Sequence, residues 1–180
     1  LHLQEMMLSE LLQELDNQKD NNRAKLLSHY FKTGKGGYGE GDIFLGLTVP
    51  MQRKVAGKYI NLVLGDIKKL LESKVHEHRL VALMILVDKF KKENDKKLVY
   101  DFYLANTKYI NNWDLVDLSS HKIIGEYLLN KEKSILYKLA RSENLWERRI
   151  AIISTFSFIR NNQSEDSLKL AELLIDDKHD

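Results

Sequence analysis

The feature that most constrains the fold is a long succession of helical patterns with very few breakers. Apolar residues recur at three- and four-residue spacings, as on one face of an α-helix, and the only proline is Pro50. No segment alternates strictly between apolar and polar residues, as a half-buried strand would. After two helices and a glycine-rich loop at 34–46, the sequence predicts an all-α fold with helices at about 50–64, 66–73, 75–92, 95–105, 113–129, 132–141, 145–160 and 164–175.

The helices also show an internal repeat. Glu77-x-Arg79-Leu80 lines up with Glu147-x-Arg149-Ile150 at an offset of 70 residues, and the helix beginning at Trp113 lies near the midpoint. A period of about 35 residues is typical of paired helices that stack into a solenoid. We therefore predict an α-α superhelix of the HEAT/ARM type, formed by a single repeat domain over residues 1–180.

The charge distribution is consistent with a polyanionic partner. Residues 1–18 and 161–180 each carry a net charge of −4, so residues 19–160 carry +10. A basic middle is typical of a phosphate-backbone footprint, and a solvated lysine-rich surface accounts for it equally well. The chain contains no cysteine, which excludes disulfides and thiolate metal sites. With no signal peptide or membrane-spanning stretch in the pattern, we expect a cytoplasmic protein.

The glycine-rich loop formally matches a dinucleotide-binding fingerprint. Gly34-Lys35-Gly36-Gly37-Tyr38-Gly39 has the G-x-G-x-x-G spacing, but that chemistry requires a strand before the loop. Here a helix precedes it, so we interpret the match as accidental. Lys32 and Lys35 either contact phosphates or belong to a plain connector.

His76-Glu77-His78 resembles part of a metalloprotease helix. Its histidines are two residues apart instead of four, so they diverge on a helix and cannot bind one metal ion. We expect no metal site. Glu77 and Arg79 are better interpreted as capping residues or salt-bridge partners between repeats.

Two tryptophan-containing segments carry the strongest chemical pattern. Trp113 and Asp117 are one helical turn apart, and the segment 144–151 contains Trp146, Arg148 and Arg149. Taken singly, each side chain is typical of a core tryptophan or a structural ion pair. Together, a ring, a carboxylate and a guanidinium suit a cationic aromatic ligand on a polyanionic strand, such as an alkylated purine in DNA.

Ordered motifs from about Tyr30 to Ile175 carry a family resemblance. The sequence resembles the bacterial DNA alkylation repair proteins, AlkD-like DNA glycosylases built from HEAT-like repeats. The matching segments are Tyr30-Phe31-Lys32-Thr33-Gly34, Tyr38-Gly39-Glu40-Gly41-Asp42, Gly46-x-x-Val49-Pro50-x-x-Arg53, His76-Glu77-x-Arg79, Trp113-Asp114-Leu115-Val116-Asp117 and Leu145-Trp146-Glu147-Arg148-Arg149-Ile150-Ala151.

The resemblance implies hydrolysis of the N-glycosidic bond of N3- or N7-alkylated purines in double-stranded DNA. It implies that Asp117 and Trp113 are catalytic and that Arg149 is the motif arginine, with Arg148 as the competing register. Tyr30 matches a family aromatic residue, and with Lys32 and Lys35 it completes the predicted DNA contacts. No cofactor, metal or membrane is implied.

One departure from the family pattern bears on activity. Family members continue into a further repeat with a Gly-Trp…Leu-Arg-Glu motif, which we expect this chain to lack. A non-catalytic HEAT-like module that binds damaged or branched DNA is therefore the alternative function. A protein-interaction scaffold, which would not bind DNA at all, is a third.

Overall fold

The computed structural model describes residues 2–92 and 94–179, and it confirms the all-α class. Within the described residues there is no β-strand, only an isolated bridge between Ile43 and Val75. Short 3-10 and π-helical turns lie at Thr107–Tyr109 and His121–Gly125. The helices are α1 His2–Asp16, α2 Asn21–Tyr30, α3 Val49–Lys58, α4 Leu64–Leu71, α5 His76–Lys92, α6 Lys96–Ala105, α7 Trp113–Ser120, α8 Glu126–Leu128, α9 Ser134–Ala140, α10 Leu145–Ser154, α11 Phe156–Arg160 and α12 Glu165–Leu174.

Most helices begin within two residues of the positions predicted from the sequence, and three of the longer ones differ. The predicted helix at 50–64 ends at Lys58. The predicted helix at 113–129 contains a π-turn, and the one at 145–160 is divided at Thr155. The Thr155 hydroxyl donates a hydrogen bond to the carbonyl oxygen of Ile152 (2.7 Å), which competes with the regular helix pattern.

The chain forms two compact units, residues 1–92 and 93–180, and each is described separately below. In the first unit, α5 packs against α3 and α4. Its residues 79–87 are all buried, because this stretch is apolar on every face after Arg79. No helix in the described part of the chain is long and apolar enough to cross a membrane. The superhelical arrangement stays a prediction.

A buried carboxylate organises the loop that precedes α3. Glu77 is 1% exposed, and its carboxylate accepts hydrogen bonds from the backbone N–H groups of Leu45, Gly46 and Leu47, at 2.8–3.3 Å. These bonds satisfy donors that would otherwise be buried without a partner. Glu77 is therefore a structural anchor for the loop before α3, not the cap of a helix.

Asp42 links the same loop to α5. Its Oδ2 atom lies 2.6 Å from Arg79 Nη2 and 3.3 Å from His76 Nδ1. Burial opposes ionisation of Asp42, but the hydrogen bond with His76 and the charge of Arg79 outweigh it and lower the pKa of Asp42. His76 and Arg79 thus serve the fold of the first unit.

The glycine-rich loop follows α2, not a strand, and it folds back on itself. At Gly37, a Cβ atom would lie 1.8 Å from the carbonyl oxygen of Lys32, so only glycine fits there. Lys32 itself has a positive φ of 51°. The glycines therefore allow a tight connector, in agreement with the interpretation that the dinucleotide match is accidental.

In the second unit, α10 packs against α7, α9 and the π-turn. Gly125, in the π-turn, allows a close approach to α10, since a Cβ atom there would lie 2.2 Å from the Ser154 carbonyl oxygen. Fully buried residues such as Tyr103, Val116, Ile150 and Phe158 fill the core of this unit. The packed helices α7 and α10 carry the predicted site residues Trp113, Asp117 and Arg149.

Candidate functional site

Asp117 and Arg149 form a bidentate ion pair between α7 and α10. Arg149 Nε lies 2.8 Å from Asp117 Oδ1, and Nη2 lies 2.8 Å from Oδ2. Both helices begin at asparagine caps: Asn112 Oδ1 accepts from the N–H of Trp113, and Asn144 Oδ1 accepts from that of Trp146. The caps fix the residue at which each helix begins, and so they fix the positions of Asp117 and Arg149 along their helices.

The pair is only partly shielded from water. The side chains of Asp117 and Arg149 keep 35% and 26% of their exposure. The hydrogen bond with Asp117 raises the pKa of Arg149, although burial opposes this, so the guanidinium stays charged and balances the carboxylate. A planar guanidinium that binds a carboxylate through two parallel hydrogen bonds has the geometry to bind a phosphate in the same way.

Trp113 occupies the first position of α7, one turn before Asp117. A four-residue separation places the two side chains on the same helical face. The Trp113 ring is partly buried, as is that of Trp146 in α10. The predicted ring, carboxylate and guanidinium are therefore all carried by the adjoining helices α7 and α10.

Arg148, the competing arginine, points to different partners. Its Nε and Nη2 atoms bond the carboxylate of Asp177, at 2.5 and 3.1 Å. Its Nη1 atom donates to the carbonyl oxygens of Ser142 and Glu143, both at 3.0 Å. The hydrogen bond with Arg148 lowers the pKa of Asp177 to about 2. Arg148 therefore holds the connection before α10 and the segment after α12.

The same hydrogen-bond arrangement occurs at the beginnings of α5 and α10. In both, a serine hydroxyl accepts from the N–H two residues later, at 3.1 Å. The serine carbonyl accepts from an arginine six residues later, at 2.8 and 3.0 Å. The side chain before that arginine bonds the serine hydroxyl, at 2.9 and 2.5 Å. The residues are Ser73, His78 and Arg79 in α5, and Ser142, Glu147 and Arg148 in α10.

This arrangement corrects the repeat offset from 70 to 69 residues. The adjacent arginines of α10 fit the sequence pattern in either register, and only their hydrogen bonds distinguish them. Arg79 corresponds to Arg148, so Arg149 corresponds to Leu80, which is 3% exposed. The arginine needed by the repeat is Arg148. Arg149 stands at an apolar position of the repeat and pairs with Asp117.

A buried polar pair lies behind α7, and the sequence did not reveal it. The hydroxyl oxygens of Tyr103 and Ser119 lie 2.8 Å apart, and Ser119 Oγ donates to the carbonyl oxygen of Leu115. Both side chains are fully buried, and burial raises the pKa of Tyr103. The polar run Ser119-Ser120-His121 within an apolar helix is the signal that marks this support.

The remaining predicted DNA contacts lie in the first unit. Tyr30 is 62% exposed at the end of α2, and the Lys32 ammonium lies 5.8 Å from the centre of the Tyr38 ring. Lys32 and Lys35 line a shallow pocket of about 250 Å³ together with His29. The structure thus groups these three predicted residues around the glycine-rich loop.

Possible metal ligands and a nearby pocket are the remaining features of the site that concern ligand binding. The described residues hold no group of three or more His, Asp or Glu side chains placed to bind a metal ion. A pocket of about 210 Å³ lies beside the ion pairs in the second unit. Its lining residues are Leu145, Arg148, Arg149, Ile152, Leu174, Asp177 and His179.

Comparison with known proteins identifies the family. A search of curated proteins found no match. The family model described as DNA alkylation repair enzyme matches residues 11–180, which include every residue of the Asp117–Arg149 site. The chain therefore belongs to the DNA alkylation repair enzyme family and has a role in DNA alkylation repair.

Proposed function

We propose that the protein is a DNA glycosylase that hydrolyses the N-glycosidic bond of N3- or N7-alkylated purines in double-stranded DNA. The observation that carries the proposal is the bidentate Asp117–Arg149 pair, one turn from Trp113. Arg149 occupies a position that the repeat fills with leucine in α5, so the pair is not required by the repeat. A role of the Asp117–Arg149 pair in binding or catalysis therefore explains it better than a role in maintaining the fold.

The substrate needs little help to release its base. An N3- or N7-alkylated purine already carries a positive charge, so it leaves as a neutral base without protonation by a general acid. The barrier lies in the sugar, which becomes an oxocarbenium-like cation, as in glycoside hydrolysis. The protein must therefore stabilise positive charge on the sugar and place a water molecule.

Asp117 has the chemistry for both tasks. Its carboxylate attracts the developing positive charge on the sugar, and it can accept a proton from the attacking water. The water's oxygen then forms the new bond to the anomeric carbon while the carbon–nitrogen bond breaks. The flat face of Trp113 adds a cation–π attraction of about 0.5–2 kcal/mol for the positive base or sugar.

Arg149 connects binding to chemistry in this proposal. Without DNA, its guanidinium balances the Asp117 carboxylate. A DNA phosphate offers the same bidentate geometry, so it competes for Arg149 and leaves more of the negative charge of Asp117 for the sugar. Tyr30, Lys32 and Lys35 are proposed as additional contacts with the DNA backbone.

The closed pair also favours one alternative, a DNA-binding protein without excision activity, because a carboxylate that stays neutralised by Arg149 stabilises no cation. Duplex DNA treated with a methylating agent distinguishes the two functions. We expect the protein to release 7-methylguanine or 3-methyladenine and to leave abasic sites, which chromatography of the free bases and alkaline cleavage of the strand detect. Salt-sensitive binding with no released base at micromolar protein would contradict the glycosylase and support the alternative.

A further inference from the structure

A cluster of cationic and aromatic side chains lies next to the Asp117–Arg149 pair in the second unit. It consists of His121 and Lys122 at the π-turn, and of Phe156 and Arg160 in α11. The centres of the His121 and Phe156 rings are 6.4 Å apart. Neither the proposed chemistry nor the repeat arrangement uses these residues.

The cluster lies further along the same two packed segments that carry Asp117 and Arg149. Successive contacts join α7 and its π-turn to α10 and α11. The Asp117–Arg149 pair is the first of these contacts, and further along both segments Ser157 Oγ donates to the His121 carbonyl oxygen at 2.6 Å. His121 comes four residues after Asp117, a rise of roughly 6 Å along a helix. The cluster therefore neighbours the site and belongs to the same pair of packed elements.

Positive charge gathers around the His121 ring. His121 is 8% exposed. Its burial and the positive charges of Lys122 and Arg160 lower its pKa. A hydrogen bond with the backbone of Asp117 and the negative charge of Glu126 oppose this effect but do not outweigh it. Glu126, the acid nearby, is bonded by the Ser157 hydroxyl at 2.8 Å. The cluster thus presents two cations around a buried ring.

Two of these side chains are available at the surface. Phe156 is 44% exposed, which is unusual for a phenylalanine packed beside a buried histidine. Arg160 is exposed and makes no hydrogen bond or ion pair within residues 2–92 and 94–179. An exposed cation beside an exposed flat ring suits a nucleic-acid strand, whose phosphates and sugars alternate charge and apolar surface.

We propose that Lys122, Phe156 and Arg160 bind the phosphodiester backbone of the DNA next to the nucleotide held at Asp117. The cluster rests on the proposed function in that its ligand is DNA. Arg149 in α10 and Arg160 in α11 are eleven residues apart, on opposite sides of the break at Thr155, whereas phosphates of one strand follow at about 3.4 Å along the duplex axis. The two arginines therefore contact different phosphates, and Phe156 supplies the surface between them.

The test measures DNA affinity against salt concentration by fluorescence anisotropy. Each lost phosphate contact reduces the slope of log K against log salt by about 0.9. We expect the Lys122→Gln/Arg160→Gln double variant to reduce the slope by about two such contacts. Arg141→Gln is the matched control, because Arg141 is exposed in the same unit and, among the residues that the structure describes, its guanidinium bonds only the carbonyl oxygen of Tyr137. It should leave the slope unchanged.

A second variant tests the aromatic contribution. Phe156→Leu keeps most of the packing, and we expect it to weaken binding by about two- to fivefold at an unchanged slope, because it removes a flat apolar contact with the sugars and no charge. A double variant with the wild-type slope, or an Arg141→Gln slope that falls equally, would overturn the proposal. So would a wild-type protein that does not bind DNA.

The assays also separate this cluster from the glycosylase proposal. If wild-type protein releases no base but the double variant still lowers the salt slope, the glycosylase proposal fails and the cluster stands. If base is released and the slope does not change, the cluster fails alone.

Discussion

Replacing Arg148 and Arg149 one at a time separates the structural arginine from the functional one. Arg148→Gln removes the ion pair with Asp177 and two bonds to carbonyl oxygens, from a side chain that is 17% exposed. We expect a loss of about 1–2 kcal/mol of unfolding free energy. For a chain of this length the melting temperature should fall by about 2–8 °C.

Arg149→Gln should show the opposite pattern. Its ion pair with Asp117 stays about a third exposed, so its contribution to stability is about 0–1 kcal/mol. Base release should fall by about 100-fold, because the variant loses the phosphate contact that would place the damaged nucleotide at Asp117. Arg148→Gln should keep activity within about threefold of wild type below its own melting temperature.

Thermal unfolding followed by circular dichroism and single-turnover base release at 25 °C measure the two effects. The 69-residue correspondence between α5 and α10 requires that the two variants differ in both assays. If Arg148→Gln abolishes base release while Arg149→Gln does not, the assignment of the two arginines is wrong. If both variants lose stability and activity equally, the arginines act as one structural unit and the reasoning fails.

Three further predictions concern the scaffold. Gly125→Ala would place a methyl group 2.2 Å from the Ser154 carbonyl oxygen, so we expect a loss of about 1–3 kcal/mol in urea unfolding and weaker base release. Glu77→Gln exchanges a buried carboxylate that accepts from three backbone N–H groups for an amide, and the amides of Leu45–Leu47 should lose protection from hydrogen exchange. Burial and Arg79 lower the pKa of His78 from 6.5 to about 4, so the unfolded chain binds a proton more readily. Stability should fall by about 1–2 kcal/mol as pH decreases from 6.5 to 4, and His78→Asn should flatten that fall in pH-dependent melts.

Much of the site can be predicted from local sequence signals. Asn112 and Asn144 each precede an apolar periodic run, and the structure uses both as helix caps. Helical spacing alone places Trp113 and Asp117 on one face. With the beginnings of α7 and α10 set, only the packing of the two helices was needed to bring Arg149 to Asp117.

The rest depends on contacts distant in sequence. The π-turn at His121–Gly125 accompanies the close approach of Gly125 to Ser154, about thirty residues later, and periodicity within α7 carries no trace of it. The choice between Arg148 and Arg149 depends on the carbonyl oxygen of Ser142, because two adjacent arginines fit one sequence pattern equally well. Local sequence patterns predict where the helices lie. Which of two adjacent arginines is structural becomes clear only from the atoms to which each one is hydrogen-bonded.

Single-turnover release of alkylated purine by Asp117→Asn tests the central claim most directly. Asp114→Asn is the matched control, since Asp114 lies in the same helix and its carboxylate accepts a hydrogen bond from the N–H of Leu115. We expect Asp117→Asn to slow release by about 100-fold or more while DNA affinity changes by less than about threefold. Asp114→Asn should behave as wild type. Release by Asp117→Asn at the wild-type rate would contradict a catalytic carboxylate at this position.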